Sequence, residues 1–161
     1  MTGFKEFCAS EGIILETTAP YSPQSNGVTE RKNRTLTEML NSMLLTAGMP
    51  SSFWREAVLT ANHILNRLPH SKLSMTPYEI WHKRPCNYDT LKTWGCIAYV
   101  RIQDPKRPKV GPRTITCVYL GSAEDSAADR FLDLSTNTVI ESRDAEFFEN
   151  KFSQRSWFEC F

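Results

Sequence analysis

Glu30 is the acidic side chain in this sequence whose neighbours could support chemistry. It lies in the first turn of a predicted helix, because apolar residues recur at three- and four-residue steps from Val28 onward. Four polar residues share its helical face: Asn33, Arg34, Thr37 and Asn41. This face turns a carboxylate, a guanidinium and three neutral polar groups toward solvent or a ligand. The simpler interpretation is an ordinary amphipathic helix with an acid near its N-terminus, where the helix dipole favours negative charge.

The segment before this helix is predicted to be an irregular loop. Pro20 and Pro23 lack amide donors and disfavour helix in the residues before them. Ser25 or Asn26 is a suitable N-cap for the helix. Asn26-Gly27 is also a hairpin-turn sequence, but the residues after Gly27 have helical rather than strand period.

The composition is that of a folded chain without a strong overall charge. Its 161 residues suffice for one ordinary domain or two small ones, and 40% hydrophobic with 23% charged residues is typical of globular proteins. Because the net charge is only +1, any contact with DNA must come from local clusters of basic residues. No apolar run reaches membrane-spanning length, so we expect no membrane partner.

The cysteines and histidines indicate an intracellular protein, nuclear or cytoplasmic, without structural zinc. The five cysteines are scattered and odd in number, which favours reduced thiols over a disulfide framework. The three histidines have no paired cysteines at zinc-finger spacing.

The N-terminal part of the chain has mainly helical period. Phe4, Phe7 and Cys8 form one apolar side of a short helix that Gly12 ends, and residues 13–18 are predicted to form a buried strand.

Two longer helices are predicted over residues 28–46 and 51–68. Such a pair is also the arrangement of a helix-turn-helix DNA reader, but the second helix is apolar around much of its circumference and offers few basic side chains to a groove. Thr76-Pro77-Tyr78-Glu79 then combines the N-cap, the proline and the glutamate that begin a capping-box helix.

After residue 89 the period changes to that of strands. Four strand candidates lie at residues 96–102, 114–120, 130–134 and 138–142. Short strands at this spacing fit a small antiparallel barrel, and we expect residues 91–150 to close a core by themselves. Trp81 and Trp94 are expected to be core and packing residues rather than platforms for bases.

Two groups of polar and basic residues are candidates for contact with phosphates. The first flanks Glu30 and consists of Asn26, Arg31, Lys32 and Arg34. The second lies in the linker between the first two predicted strands and consists of Lys106, Arg107, Lys109 and Arg113. A solvated barrel loop explains the second group equally well.

Residues 22–36, Ser-Pro-Gln-Ser-Asn-Gly-Val-Thr-Glu-Arg-Lys-Asn-Arg-Thr-Leu, resemble the loop and helix that carry the final glutamate of the integrase core in copia-type retrotransposons. The match is contiguous and specific in its residues. The two helices followed by Thr-Pro-Tyr-Glu are similar to the part of the copia-type family that comes after this glutamate.

Three later phrases are similar to the SH3-like module that follows the integrase core in copia-type polyproteins. They are Trp94-Gly95-Cys96, Tyr119-Leu120-Gly121 and residues 142–147. The chain departs from the family at two places: Ser122 stands where an aromatic residue is usual, and residues 128–131 lack the expected step from glycine to an aromatic residue.

The resemblance implies an α+β chain in which a truncated, helical remnant of a ribonuclease-H-like integrase core precedes a small SH3-like β-barrel. Residues 1–48 would be the C-terminal part of the catalytic core and residues 49–90 a helical extension. Residues 91–150 would be the SH3-like module, and residues 151–161 an unrelated tail.

The resemblance also implies Mg²⁺-dependent strand transfer, with Glu30 as catalytic residue and metal ligand. The family holds two Mg²⁺ ions with two aspartates and this glutamate, and one carboxylate cannot hold both ions. No aspartate precedes Glu30 in this chain, so we expect both aspartates to lie before Met1. The chain alone is therefore predicted to be inactive and not to bind Mg²⁺ stably.

The expected inherited role is nucleic-acid binding and DNA integration as part of a retrotransposon polyprotein. The expected partners are DNA, bound weakly and without sequence preference, and a second copy of the chain or another integrase chain. The alternative is a non-catalytic SH3-like module that binds protein or nucleic acid. An aspartate-bearing strand encoded in frame upstream would favour the enzyme.

Overall fold

The computed structural model describes residues 2–15, 26–69, 74–102, 110–123 and 125–153. The helices within these ranges are α1 (Thr2–Ser10), α2 (Gly27–Ala47), α3 (Trp54–Leu65) and α4 (Pro77–His82), with a 3₁₀ turn (Ser51–Phe53) before α3. The strands are β1 (Cys96–Arg101), β2 (Thr114–Ser122), β3 (Asp129–Asp133), β4 (Val139–Ser142) and β5 (Ala145–Phe152). The chain divides into two compact units, Met1–Thr35 and Leu36–Phe161, with the boundary inside α2.

In the first unit, α1 forms where the sequence predicts a short helix. Gly12 ends this helix in the left-handed conformation, with φ at 68°, and the amide of Ile13 donates to the carbonyl of Cys8 at 2.8 Å. Cys8 is buried, but Phe4 and Phe7 are each more than half exposed. The predicted apolar side is therefore buried only at Cys8.

The predicted strand over residues 13–18 is wrong in the part that the structure describes. Residues 13–15 have no regular structure, and Ile14 is 87% exposed. A strand needs a neighbour for its backbone N–H and C=O groups, and the described residues of this unit contain no other strand. Residues 16–18 lie outside the described ranges, as does Ser25, one of the two predicted N-caps.

The second unit is built on one antiparallel sheet with the strand order β4-β3-β2-β1-β5. Helices together with this sheet confirm the α+β class and agree with an SH3-like module. Four strands lie at the predicted positions, whereas β5 is an additional one. Strand period did not reveal it because Phe147 and Phe148 are adjacent and break the alternation of apolar and polar residues.

The connection from β4 to β5 forces this sheet to curl. Only Arg143 and Asp144 separate the two strands, although they lie at opposite ends of the strand order. Three Cα–Cα steps span at most about 11 Å, whereas the outer strands of a flat five-stranded sheet would lie about 19 Å apart. The edges must therefore approach each other, and the amide of Arg101 in β1 donates to the carbonyl of Asp144 at 3.1 Å.

Alternate residues of the strands fill the interior of the curled sheet. Its buried residues are Cys96, Ala98, Val100, Cys117, Tyr119 and Phe131. The ring of Phe147 completes an aromatic cluster, because its centroid lies 5.3 Å from that of Tyr119 and 5.8 Å from that of Phe131.

Burial in this interior changes the acidity of its polar groups. Desolvation raises the pKa of Cys96 to about 11 and that of Cys117 to about 12, and the charges of Glu149 and Asp133 act in the same direction. Desolvation also raises the pKa of Tyr119 to about 12. These groups are protonated at neutral pH, and the four cysteines that the structure describes are free thiols.

The outer face of the sheet packs against the helices of the second unit. This second core contains Leu44, Ala47, Met49, Ala57, Trp94, Val118, Leu120 and Leu132. Because neighbouring residues of β2 belong to opposite cores, residues 117–121 of this strand are buried on both faces. Residues 91–150 thus supply all of the inner core, whereas the core on the outer face also needs residues of α2 and α3.

The two tryptophans expected to pack differ in the structure. Trp94 is buried at 5% exposure, as predicted, but Trp81 is 82% exposed, so the prediction for Trp81 is wrong. Helix α4 has only six residues, and none of them is fully buried. The capping box that begins α4 is confirmed: Thr76 Oγ1 accepts from the amide of Glu79, and Glu79 Oε2 accepts from the amide of Thr76.

A bulge in β2 connects the sheet to α3. The register with β3 shifts between Tyr119 and Gly121, which leaves Leu120 without a partner residue in β3. The carbonyl of Leu120 instead accepts from Thr60 Oγ1 of α3 at 2.8 Å and from Trp94 Nε1 at 3.0 Å.

Two glycines allow the helices to approach the strands this closely. Gly95 has φ of 80°, and a Cβ at this position would overlap the Cβ of Ala47 in α2. Gly121 has φ of 128°, and a Cβ there would overlap the hydroxyl of Thr60 in α3.

An ion pair also joins the sheet to α3. Both terminal nitrogens of Arg130 in β3 contact the carboxylate of Glu56 in α3, with N–O distances of 2.6 and 3.2 Å.

Replacing Leu44 by alanine should destabilise the second unit by about 2–5 kcal/mol, since it removes a buried side chain from the core that α2 shares with the sheet. The neighbouring Leu45, 81% exposed on the same helix, is the matched control, and Leu45→Ala should change stability by less than about 0.5 kcal/mol. Urea unfolding of the full chain, followed by circular dichroism, measures both. Equal effects of the two substitutions would show that α2 does not contribute to the core.

Gly95→Ala should destabilise the chain more than Gly48→Ala does. Both glycines have positive φ, so each alanine incurs a backbone cost of about 1–2 kcal/mol. Only at Gly95 does the added methyl group also overlap a helix, because nothing lies within 4 Å of a Cβ at Gly48. Thermal unfolding of the two variants measures the difference, and a Gly95 variant as stable as the Gly48 variant would contradict the close approach of α2.

Candidate nucleic-acid interface

The first turns of α2 present charged side chains to solvent. Glu30 lies in the first turn, and Arg31, Lys32 and Arg34 follow it, all four exposed. Asn26, directly before the helix, is also exposed. The two ion pairs found within the described ranges involve none of these side chains. The start of α2 can therefore offer one carboxylate and three cations to a ligand.

Glu30 has no partner ligands for a metal ion in the part of the chain that the structure describes. Within those ranges, no group of three or more histidine, cysteine, aspartate or glutamate side chains lies close enough to hold an ion. A Mg²⁺ ion takes several oxygen ligands, so Glu30 would need carboxylates from elsewhere to bind one.

The second predicted basic group is described only in part. Lys106, Arg107 and Lys109 lie outside the described ranges, so their position stays a prediction. Arg113 is exposed just before β2, and its carbonyl accepts from the amide of Ile102 at 2.9 Å.

A cavity of about 530 Å³ lies beside the corner between β4 and β5. Its lining residues are Arg101, Ile102, Ala128, Glu141, Ser142, Arg143 and Asp144. Two arginines and two carboxylates share this lining, so the cavity does not favour an anion over a cation. The corner itself is held by Ser142 Oγ, which accepts from the amide of Asp144 at 3.2 Å.

One group of aromatic and basic side chains at α4 did not stand out in the sequence: Trp81, His82 and Arg84 are exposed, and Arg67 and Tyr78 are half-buried. We define the α4 surface as Arg67, Tyr78, Trp81, His82 and Arg84. The guanidinium carbon of Arg67 lies 4.4 Å from the ring centroid of Tyr78, and that of Arg84 lies 5.5 Å from it. The rings of Tyr78 and His82 lie 4.4 Å apart. The signal in the sequence was Trp-His-Lys-Arg at residues 81–84, of which Trp81 had been assigned to packing.

The acidic group nearest to this surface in sequence, Glu79, is occupied by the backbone. Its carboxylate accepts from the amide of Thr76 at 2.8 Å and from that of Cys86 at 3.1 Å. These backbone hydrogen bonds lower the pKa of Glu79, so it stays ionised at neutral pH. Burial and the charge of Arg67 lower the pKa of His63, which is therefore neutral at neutral pH.

No helix of the described residues combines the length and the apolar character needed to cross a membrane.

Comparison with known proteins identifies relatives of the curled sheet and of the helices before it. The model of the retroviral polymerase SH3-like domain matches residues 96–156. The Retrovirus-related Pol polyprotein from transposon TNT 1-94 of Nicotiana tabacum is 40% identical over 149 residues, which are 92% of this chain and 11% of that polyprotein. The chain is a segment of the copia-type Pol polyprotein family.

Two further copia-type relatives come from Arabidopsis thaliana. The Pol polyprotein from transposon RE1 is 32% identical over 148 residues, 91% of this chain and 10% of the polyprotein. The one from transposon RE2 is 30% identical over 149 residues, 92% of this chain and 10% of the polyprotein. The copia-type segment thus spans about a tenth of the length of these relatives.

The similarity to these copia-type relatives is not confined to the curled sheet. A match over 149 of 161 residues contains residues 13–149 wherever it begins, and so it includes Glu30 and all of α2. The α4 surface lies inside the same range.

Proposed function

We propose that this copia-type segment is part of an integrase, in which Glu30 is a metal ligand and the basic side chains around it contact DNA. The observation that carries the proposal is the position of Glu30. It is exposed in the first turn of α2, next to Arg31, Lys32 and Arg34, within a stretch that matches Pol polyproteins. A structural acid at a helix N-terminus would not require three neighbouring cations.

The proposed organisation follows the resemblance. Residues 1–48 are the last part of a ribonuclease-H-like catalytic core, and residues 49–90 a helical extension. Residues 91–150 are an SH3-like module and residues 151–161 a tail. The support is that the residues matching the family model begin at β1, while α2 carries the glutamate that the integrase resemblance singles out.

The chemistry of such an integrase requires more oxygen ligands than this segment supplies. When bound, Mg²⁺ activates the attacking oxygen and stabilises the leaving oxygen at phosphorus. Glu30 is one carboxylate, and no aspartate precedes it in the 161 residues. We therefore propose that Glu30 acts only together with aspartates from other parts of a polyprotein, and that the isolated chain is inactive.

The proposed partner is DNA, bound through phosphates and therefore weakly and without sequence preference. The candidates at α2 are Asn26, Arg31, Lys32 and Arg34, and Lys106, Arg107, Lys109 and Arg113 form the second group. Another integrase chain, or a second copy of this one, is the proposed protein partner, and the nucleus or cytoplasm the proposed location.

A non-catalytic binding module is the second candidate function. The observation that favours it is that the sheet has a packed core on each face, whereas no other described carboxylate, histidine or cysteine joins Glu30 in a group that could hold a metal ion.

Glu30→Gln should abolish Mg²⁺-dependent strand transfer in a chimera in which this segment replaces the matching part of the TNT 1-94 polyprotein. Glu38→Gln, an exposed substitution on the same helix, should leave the activity intact. The assay measures joining of labelled DNA ends, and the isolated chain should show none with Mg²⁺ or Mn²⁺. Full activity of the Glu30→Gln chimera would remove the catalytic role and leave the binding module.

Binding of the isolated chain to duplex DNA should weaken steeply with salt, because phosphate contacts release counterions. Each contact contributes about 0.9 to the slope of log K against log salt, so replacing Arg31, Lys32 and Arg34 by glutamine should reduce the slope by about 2 to 3. Lys5→Gln, an exposed substitution on α1, is the control and should not change it. Fluorescence anisotropy gives the slope. Sequence-selective binding, or affinity that is flat up to physiological salt, would count against this role.

A further inference from the structure

The α4 surface exposes a tryptophan that the fold does not use. Trp81 is 82% exposed, although tryptophans are highly buried on average. Beside it, a groove of about 340 Å³ is lined by Asn66, Arg67, Pro77, Tyr78, Trp81 and His82. A second groove of about 360 Å³ shares Asn66 and Arg67 with the first, so the two are neighbours.

The arginines of this surface are held in place without a carboxylate. Arg84 Nε donates to the hydroxyl of Tyr78 at 2.8 Å, and Arg67 donates to the carbonyl of His63 at 3.1 Å. Their guanidinium groups lie near the same tyrosine ring. Neither forms one of the ion pairs found among the described residues. Their positive charge is thus fixed in position and not neutralised there.

The surrounding sequence adds positive charge rather than cancelling it. From Arg67 to Arg84 the chain has four lysine or arginine side chains and one carboxylate, Glu79. That carboxylate is engaged by two backbone amides at the start and after the end of α4. An anionic ligand would therefore meet cations and an indole face without an opposing free acid from this segment.

We propose that the α4 surface binds single-stranded nucleic acid, with a base stacked on Trp81 and phosphates at Arg67 and Arg84. Stacking on an exposed aromatic ring beside cations is the general way in which proteins bind unpaired strands. In a duplex the faces of the bases are covered by their neighbours, so the indole of Trp81 selects unpaired bases. The proposal extends the nucleic-acid role proposed above but uses different residues from those of α2.

The test compares two probes on the full chain: an oligothymidylate and an abasic phosphodiester of the same length. Trp81→Ala should weaken binding of the oligothymidylate about 5- to 150-fold, the range measured for loss of one stacked base, and leave binding of the abasic strand unchanged. Trp54→Ala, which removes a 57% exposed tryptophan from α3, is the matched control and should change neither.

Arg84→Gln separates the charge contact from stacking. It should weaken binding of both probes. It should also reduce the slope of log K against log salt by about 0.7, the contribution of one phosphate of a single strand. Circular dichroism of each variant checks the fold, and the exposure of both side chains means that the fold should be retained.

The following outcomes would overturn the proposal. Unchanged oligothymidylate binding by Trp81→Ala, or equal affinity of the parent chain for both probes, would exclude stacking. If only the variant with Arg31, Lys32 and Arg34 replaced by glutamine loses binding, the proposed nucleic-acid role stands and the proposal for the α4 surface is wrong. If the parent chain binds neither duplex nor single strand, both fail. A change of oligomeric state or of acidic-peptide binding in Trp81→Ala, with normal oligothymidylate binding, would identify a protein interface instead.

Discussion

The carbonyl of Leu120 is the point at which the helices and the sheet of the second unit are tied together. The bulge in β2 removes this carbonyl from the ladder, and a buried acceptor without a donor would cost about 1–3 kcal/mol. Thr60 of α3 and Trp94, just before β1, supply the donors. Thr60 can reach it because Gly121 has no side chain where α3 passes, and Gly95 leaves the same kind of room for Ala47 of α2. One acceptor thus fixes three parts of the chain relative to one another.

Local signals in the sequence predicted the elements of the fold well. The capping box at Thr76 and Glu79, the end of α1 at Gly12 and four of the strands depend on residues close in sequence, and the structure confirms them. The packing of α2 and α3 on the outer face of the sheet depends on contacts between distant residues. Periodicity showed that Leu44 and Val118 are apolar, but not that they share a core. The same limit produced the strand predicted after Gly12, which has no neighbour among the described residues.

The candidate site was predictable to a different degree in its two parts. The charged start of α2 was expected from the sequence as a contiguous motif. Helical period does not explain its exposure, because every residue from 28 to 34 is exposed, including Val28 of the predicted apolar side at 80%. The α4 surface was not predictable in this way. Arg67 and Tyr78 come together because Tyr78 donates its amide to the carbonyl of Asn66 at 2.9 Å, a contact that no motif announces. An aromatic residue in a short helix was assigned to packing by default, and the tertiary contacts decided otherwise.

The two thiols inside the curled sheet give the fold a chemical property that its surface does not show. Oxidants and alkylating agents attack the thiolate. Cys96 and Cys117 are both fully buried, and their raised pKa values keep them protonated at physiological pH. Oxidation of either thiol should require the strands around it to open first. Oxidative damage at these positions would therefore record past opening of the sheet in individual molecules, and it would leave folded copies unmarked.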